Sequence, residues 1–143
     1  MKQILLVEDN PNDVELTIEA LKANNILNPI DVAEDGEKAL DYLHKKAKFS
    51  NRTSGNPIVI LLDIKMPKID GLEVLKEIKS DPKLQLIPVV ILSSSKEEQD
   101  LLKSYKLGVN AYVVKPVGFE EFVTAVKNIG IFWVLVNQNI DPE

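Results

Sequence analysis

Five residues whose side chains could do chemistry together each come at the end of a short apolar run of the sequence. They are Glu8, Asp9, Asp63, Ser93 and Lys115. Three carboxylates in one pocket would repel one another, since two like charges about 4 Å apart cost on the order of 4 kcal/mol at an effective dielectric of 20. A divalent cation would relieve that repulsion, and Mg²⁺ is typically held by one or two carboxylates together with waters and phosphate oxygens.

The hydroxyl and the lysine of this set fit the chemistry of phosphate. Lys115 can pair with one phosphoryl oxygen, and the Ser93 hydroxyl can donate a hydrogen bond to another. A carboxylate among them is a possible nucleophile toward phosphorus, which would give an aspartyl-phosphate. Taken singly, each residue also has a purely structural explanation, such as a turn or a helix N-terminus. Their joint occurrence favours a magnesium-assisted phosphoryl acceptor.

The elements that must position these residues alternate along the chain. Apolar runs rich in β-branched residues predict strands at 4–7, 58–62, 89–92 and 111–114, and a weaker edge strand at 30–33. Helical spacing predicts five intervening helices, starting after Asn10, Asp35, Asp70 and Ser95 and extending from Phe119 to about Val136. The alternation predicts an α/β fold with a doubly wound, five-stranded parallel sheet. The binding site of such a sheet lies outside the carboxyl ends of its strands, where the five residues would meet.

Composition excludes several other classes of protein. The 143 residues are expected to form a single domain, 1–143. The sequence contains no cysteine and only one histidine, His44, which excludes thiolate and multi-histidine metal sites. A net charge of −5 argues against a nucleic-acid partner, and no apolar run approaches the ~18 residues that suggest a membrane span. We also find no targeting signal, and we therefore expect a cytoplasmic protein.

Four segments carry a resemblance to a known family: 6–9, 61–71, 88–94 and 108–116. In their order and spacing they resemble the receiver domains of two-component response regulators, from about residue 2 to residue 128. The resemblance implies the flavodoxin-like strand order 2-1-3-4-5 and makes Asp63 the phosphoacceptor.

The same resemblance assigns roles to the other residues of the site. Asp9 and Asp63 would ligate Mg²⁺ directly, together with the backbone carbonyl of Lys65, while Glu8 would act through water. Ser93 and Lys115 would contact the phosphoryl group as its sensing hydroxyl and its pairing lysine.

As a stand-alone receiver, the chain would accept phosphate from a sensor histidine kinase and would catalyse only its own phosphorylation and dephosphorylation. Ser93 after the fourth strand and Tyr112 on the fifth predict a switch that remodels the helix 4–strand 5–helix 5 face. The long loop 45–57 and the Phe132-Trp133 tail resemble single-domain regulators that partner phytochrome-type histidine kinases.

The tail is expected to form an apolar helical extension over about 129–137. Residues 131–136 are apolar on every side, and a helix of this kind must be covered all round. We expect a homodimer through this helix, since a two-fold dimer would cover both tails at once. The alternative is that the segment folds back onto its own domain.

Three other functions can be weighed against the sequence. A haloacid-dehalogenase-type phosphatase needs a second aspartate two residues after its nucleophile, where this chain has Lys65. A flavodoxin-like FMN protein would need a Ser/Thr/Gly-rich loop after the first strand, where this chain has Glu8-Asp9-Asn10-Pro11. A phosphorylation-independent receiver-like interaction module is the main alternative, although such proteins usually lack one of the site residues and none is missing here.

Overall fold

The structure, a computed structural model, describes residues 1–94, 97–115, 118–129 and 132. Strands and helices alternate along the chain as the sequence predicts. The strands are β1 (Ile4–Val7), β2 (Ile30–Ala33), β3 (Val59–Leu62), β4 (Val89–Ser93) and β5 (Ala111–Val114). The helices are α1 (Pro11–Ala23), α2 (Gly36–His44), α3 (Gly71–Ser80), α4 (Glu98–Lys106) and α5 (Phe119–Lys127). A 3₁₀ turn at Ala47–Phe49 follows α2. No helix in the described ranges is long and apolar enough to cross a bilayer.

The five strands form one parallel sheet in the order β2-β1-β3-β4-β5, which confirms the expected topology. β1 lies between β2 and β3, and Leu6 pairs in register with Val32 on one side and Leu61 on the other. All residues of β1, β3 and β4 are buried, because helices cover both faces of the sheet. The continuous apolar runs of the sequence therefore correspond to strands without a solvent-facing side.

Alternate residues of each strand contribute to two separate apolar layers. In β1, Leu5 and Val7 join the layer under α2 and α3. Ile4 and Leu6 join the opposite layer under α1 and α5. Full burial of one such side chain is worth roughly 1.5–3 kcal/mol. The sheet is thus held from both sides, and its edges and ends are the parts that remain available to ligands.

Three of the predicted helix starts are confirmed by their capping hydrogen bonds. The Asn10 side chain accepts hydrogen bonds from the backbone N–H groups of Asn12 and Asp13 at 2.9 and 3.2 Å. Asp35 and Asp70 cap α2 and α3 in the same way, by accepting from backbone N–H groups three residues later. Each such cap contributes about 1 kcal/mol.

Two predicted helix boundaries are wrong. Extended dihedral angles at Glu97 (φ −66°, ψ 127°) make it the N-cap of α4, so the helix starts two residues later than a Ser95 cap would place it. Ser95 itself lies outside the described residues. α5 ends at Lys127 with Asn128 as its C-cap, rather than continuing to about Val136.

Of the predicted extension 129–137, the structure describes Ile129 and Phe132. Both side chains are buried in the apolar layer under α1 and α5, with Phe132 only 2% exposed. The Phe132 ring is therefore covered by its own domain, and the homodimer expected through this helix stays a prediction. Trp133 and the rest of the tail lie outside the described residues.

The loop that follows β3 is tightly packed where it meets α2 and α3. A Cβ added at Gly71 would lie 2.1 Å from the Asp63 carbonyl oxygen, and one added at Gly36 would lie 2.2 Å from the Ile69 carbonyl oxygen. The Gly71 N–H also donates to the Ile64 carbonyl at 2.8 Å. Glycine at these two positions allows the backbone of the loop to lie directly against the helices.

We expect Gly71→Ala to lower the free energy of unfolding by about 1–3 kcal/mol, since the added methyl group must displace backbone. Gly55→Ala is the matched control, because no atom lies within 4 Å of a Cβ added there. Its free energy of unfolding should stay within about 1 kcal/mol of the wild-type value. Urea unfolding of the three proteins measures both changes, and equal stabilities for the two variants would contradict the packing described here.

Candidate functional site

The site lies at the carboxyl ends of β1, β3, β4 and β5. The backbone hydrogen bonds of the sheet continue just beyond the strands and fix the backbone positions of the functional residues. The Asp63 N–H donates to the Val7 carbonyl at 3.1 Å, and the Lys115 N–H donates to the Ser93 carbonyl at 2.8 Å. Four of the five predicted residues thus lie at one edge of the sheet. Glu8, Asp63 and Lys115 directly follow β1, β3 and β5, and Ser93 is the last residue of β4.

Three carboxylates meet at this edge. One oxygen each of Glu8, Asp9 and Asp63 lies within 4.8 Å of the other two. Glu8 and Asp63 are buried, whereas Asp9 is exposed. Two oxygens bound to one Mg²⁺ at 2.0–2.1 Å are at most about 4.2 Å apart, so a small adjustment would bring all three onto one ion. An oxygen-only donor set of this kind fits a hard divalent cation.

Lys115 supplies the positive charge of the site. Its ammonium donates a short hydrogen bond to Glu8 Oε1 and lies 3.1 Å from Asp13 Oδ2 and 3.9 Å from Asp63 Oδ2. Burial raises the pKa of Glu8 to about 7, against the hydrogen bond and charge of Lys115, which lower it. Burial lowers the pKa of Lys115, but the hydrogen bond to Glu8 and the charge of Asp63 outweigh it, and the net pKa of the ammonium is raised. Lys115 therefore remains a cation at neutral pH.

The Asp63 carboxylate is oriented by its own chain. Its Oδ1 accepts a hydrogen bond from the Ile64 N–H at 2.8 Å, while its Oδ2 is the oxygen recorded 3.9 Å from Lys115 Nζ. The two oxygens of one carboxylate thus have different surroundings. One is held by backbone, and the other faces the cation of the site.

Lys65, Ser93 and Tyr112 lie at the margins of this cluster. The Lys65 ammonium lies 3.5 Å from Asp100 Oδ2 on α4. Ser93 is fully buried at the end of β4. Tyr112 is half-buried on β5, where it pairs in register with Ile91, two residues before Ser93. The roles predicted for the Lys65 carbonyl and for the Ser93–Tyr112 switch remain predictions.

Sequence reasoning missed one residue of the site, Asp13. It lies in the first turn of α1, where an acidic residue is usually explained by the helix dipole. Its position in the first turn of the helix that starts directly after Glu8 and Asp9 was an available signal, because that end of the helix lies at the same edge of the sheet. Its partner Lys115 comes 102 residues later, so only the fold shows the contact.

Comparison with known proteins identifies the family of the chain. The sequence matches the response regulator receiver domain over residues 4–127. The chain belongs to the response regulator receiver family. This receiver domain is 41% identical to response regulator Rcp1 of Synechocystis sp. over 133 residues, which cover 93% of this chain and 89% of that protein.

The receiver domain is also similar to solved structures of phytochrome response regulators. It is 56% identical to the bacteriophytochrome response regulator RtBRR, with a TM-score of 0.80, covering 93% of this chain and 80% of that one. It is 44% identical to the phosphorylated cyanobacterial phytochrome response regulator RcpA, with a TM-score of 0.83, covering 93% and 94% of the two chains. A structure of Rcp1, also with a TM-score of 0.83, is of its Mn²⁺-bound form. Divalent-metal binding is thus seen in a relative 41% identical to this chain.

Proposed function

We propose that this receiver accepts a phosphoryl group from a sensor histidine kinase onto Asp63, in a Mg²⁺-dependent reaction, and works as a cytoplasmic response regulator. The observation that carries the proposal is the cluster of Glu8, Asp9 and Asp63 oxygens within 4.8 Å, with the Lys115 ammonium beside it. The cluster combines a nucleophile, a hard-cation site and a cation for the phosphoryl oxygens. Phosphoryl transfer depends mainly on positioning and on electrostatic stabilisation of this kind.

In the proposed reaction, an Asp63 carboxylate oxygen bonds to phosphorus as the phosphorus–nitrogen bond of the donor phosphohistidine breaks. The histidine nitrogen keeps the electron pair of that bond. Asp9, Asp63 and the Lys65 carbonyl would hold Mg²⁺, with Glu8 acting through water. The bound Mg²⁺ would neutralise charge on the carboxylates and on the transferred phosphoryl oxygens. Lys115 would pair with one of those oxygens, and the Ser93 hydroxyl would donate to another.

A phosphorylation assay tests this assignment. We expect one phosphoryl group on Asp63 when the protein is incubated with Mg²⁺ and acetyl phosphate, and none in Asp63→Asn, because an amide is a poor nucleophile. Asp41→Asn, on the middle of α2, is the matched control and should be phosphorylated like the wild type. Intact-mass spectrometry at neutral pH, with and without EDTA, gives the result.

Incorporation that persists in Asp63→Asn would reject the acceptor, and incorporation undiminished by EDTA would reject the metal requirement. If the wild type takes up no phosphate, the phosphorylation-independent interaction module becomes the better description.

The relatives connected with phytochromes support a phytochrome-type histidine kinase as the donor. Faster phosphotransfer from such a kinase than from an unrelated histidine kinase, in the same assay, is the expected result.

The signal is proposed to pass from Asp63 through Ser93 and Tyr112 to the α4–β5–α5 face. Phosphate on Asp63 would draw the Ser93 hydroxyl inward and leave space that the Tyr112 ring enters. The support is the placement of the two residues on adjacent strands, one fully buried and the other half-buried. This is a population shift driven by differential contact with the phosphoryl group.

Ser93→Ala removes the hydroxyl without adding volume. We expect the phosphorylated variant to lose most of the chemical-shift changes around Tyr112 that phosphorylation produces in the wild type, because its contact with the phosphoryl group is gone. Two-dimensional NMR of both proteins, with and without phosphate, makes the comparison. Identical shift changes in the two phosphorylated proteins would reject this coupling.

A homodimer through the C-terminal tail remains part of the proposal. Because Phe132 is buried in its own domain, the apolar residues proposed for the dimer contact are those from Trp133 onward. An aromatic ring such as Trp133 buries roughly 150–250 Å² when it is covered. We expect micromolar wild type to sediment as a dimer, and a chain truncated after Phe132 to sediment as a monomer. The truncation keeps Ile129 and Phe132, which are buried in the domain itself. A monomeric wild type whose single tryptophan is shielded from iodide would instead show that the tail folds back.

A further inference from the structure

We propose that Asp13 is a positioning residue for Lys115. It would hold the lysine ammonium at the site when a divalent cation engages the other carboxylates that the lysine contacts. The inference rests on the proposed function, because it concerns how the lysine is kept ready for the phosphoryl group. It concerns a residue outside the predicted metal and phosphoryl set.

Asp13 and Lys115 are in direct contact, and neighbouring groups hold Asp13 in place. The two side chains are 3.1 Å apart between Oδ2 and Nζ. The backbone of Asp13 is fixed twice, since its N–H donates to the Asn10 side chain and its carbonyl accepts from the Thr17 hydroxyl at 2.8 Å. The Lys115 side chain is only 8% exposed, whereas that of Asp13 is 37% exposed. A buried ammonium is thus held from outside by a half-buried carboxylate on α1.

Lys115 has carboxylate partners of two kinds. Glu8 and Asp63 belong to the three-residue cluster that could hold a metal ion. Asp13 does not belong to that cluster. A cation bound there would therefore engage two partners of the lysine and leave the third unchanged.

The electrostatic consequence follows from the signs of the charges. Neutralising Glu8 and Asp63 weakens their attraction for the lysine, and the new cation repels the ammonium directly. Asp13 then becomes the one carboxylate of the three that still favours the ammonium at the site. Without Asp13, either the lysine would be displaced or the cation would bind less tightly. Because Asp13 is about one-third exposed, solvent limits the effect to a few-fold change.

The experiment compares Asp13→Asn with a matched control, Glu15→Gln. Glu15 lies two residues further along α1 and is exposed, so the control removes the same charge from the same helix. Both changes are made in the wild type and in a Lys115→Met background. The two readouts are Mg²⁺ affinity of the metal-free protein by calorimetry and the rate of Asp63 phosphorylation by acetyl phosphate at saturating Mg²⁺. A small donor keeps kinase docking out of the measurement.

With Lys115 present, we expect Asp13→Asn to weaken Mg²⁺ binding and to slow phosphorylation by about three- to fivefold relative to Glu15→Gln, the range of a partly exposed ion pair. In the Lys115→Met background the two variants should behave alike, because a residue that acts through the lysine has no effect without it. Asp13→Glu, which keeps the carboxylate, should recover part of the loss. If Asp13 only stabilised α1, Asp13→Asn would lower the urea midpoint equally in the wild-type and Lys115→Met backgrounds, and this result would contradict the inference.

Equal effects of Asp13→Asn and Glu15→Gln, or an Asp13→Asn effect that persists in Lys115→Met, would overturn the inference. Failure of the proposed function gives a different result. In that case wild-type Asp63 takes up no phosphate, while the Mg²⁺ titrations still decide whether Asp13 acts through Lys115.

Discussion

The rest of the site depends on the crowding of negative charge at one end of the sheet. Glu8, Asp9 and Asp63 bring three carboxylates within 4.8 Å of one another, and two of these residues are buried. Lys115 provides a positive charge next to the cluster. The pKa of Glu8 is nevertheless raised, so the lysine offsets only part of the cost of burying the Glu8 carboxylate. Such a cluster gains free energy from any hard cation that enters it. In the proposed function, affinity for metal and readiness for phosphate would therefore have the same electrostatic origin.

The parallel sheet makes this arrangement possible by keeping the charged groups away from the core. Every residue of β1, β3 and β4 is buried, and the first polar residues come directly after β1 and β3 and at the last position of β4. Adjacent strands in register then deliver their first polar side chains to the same place. The apolar layers on both faces hold the strands in place, and with them the backbone from which these carboxylates project. The fold thus maintains a local crowding of negative charge that a bound cation would relieve.

The features that local chemistry determines were predictable from the sequence. The caps Asn10, Asp35 and Asp70 followed from side chains that bond to backbone three residues away or less. The strand order is not local, and it was predicted from family resemblance instead. The sequence did not reveal Asp13, because its contact spans 102 residues and its position has an ordinary local explanation. The start of α4 and the end of α5 were also misplaced, because no side-chain cap at Glu97 marks the start of α4 and because apolar residues continue in the sequence after α5 ends at Lys127. The sequence left open whether the tail pairs with a second copy or folds back, and for Phe132 the structure shows burial in its own domain.

The tight packing of the β3–α3 loop makes the surroundings of Asp63 unequal in stiffness. On the α2 side, Gly36 and Gly71 leave no room for even a methyl group. On the α4 side, the loop is connected by the Lys65–Asp100 ion pair of 3.5 Å, in which the lysine side chain is more than half exposed. A chemical change at Asp63 would find tightly packed backbone on the α2 side and an exposed, flexible lysine side chain on the α4 side. The loop would therefore move more easily toward α4, which gives a structural change at Asp63 a preferred direction.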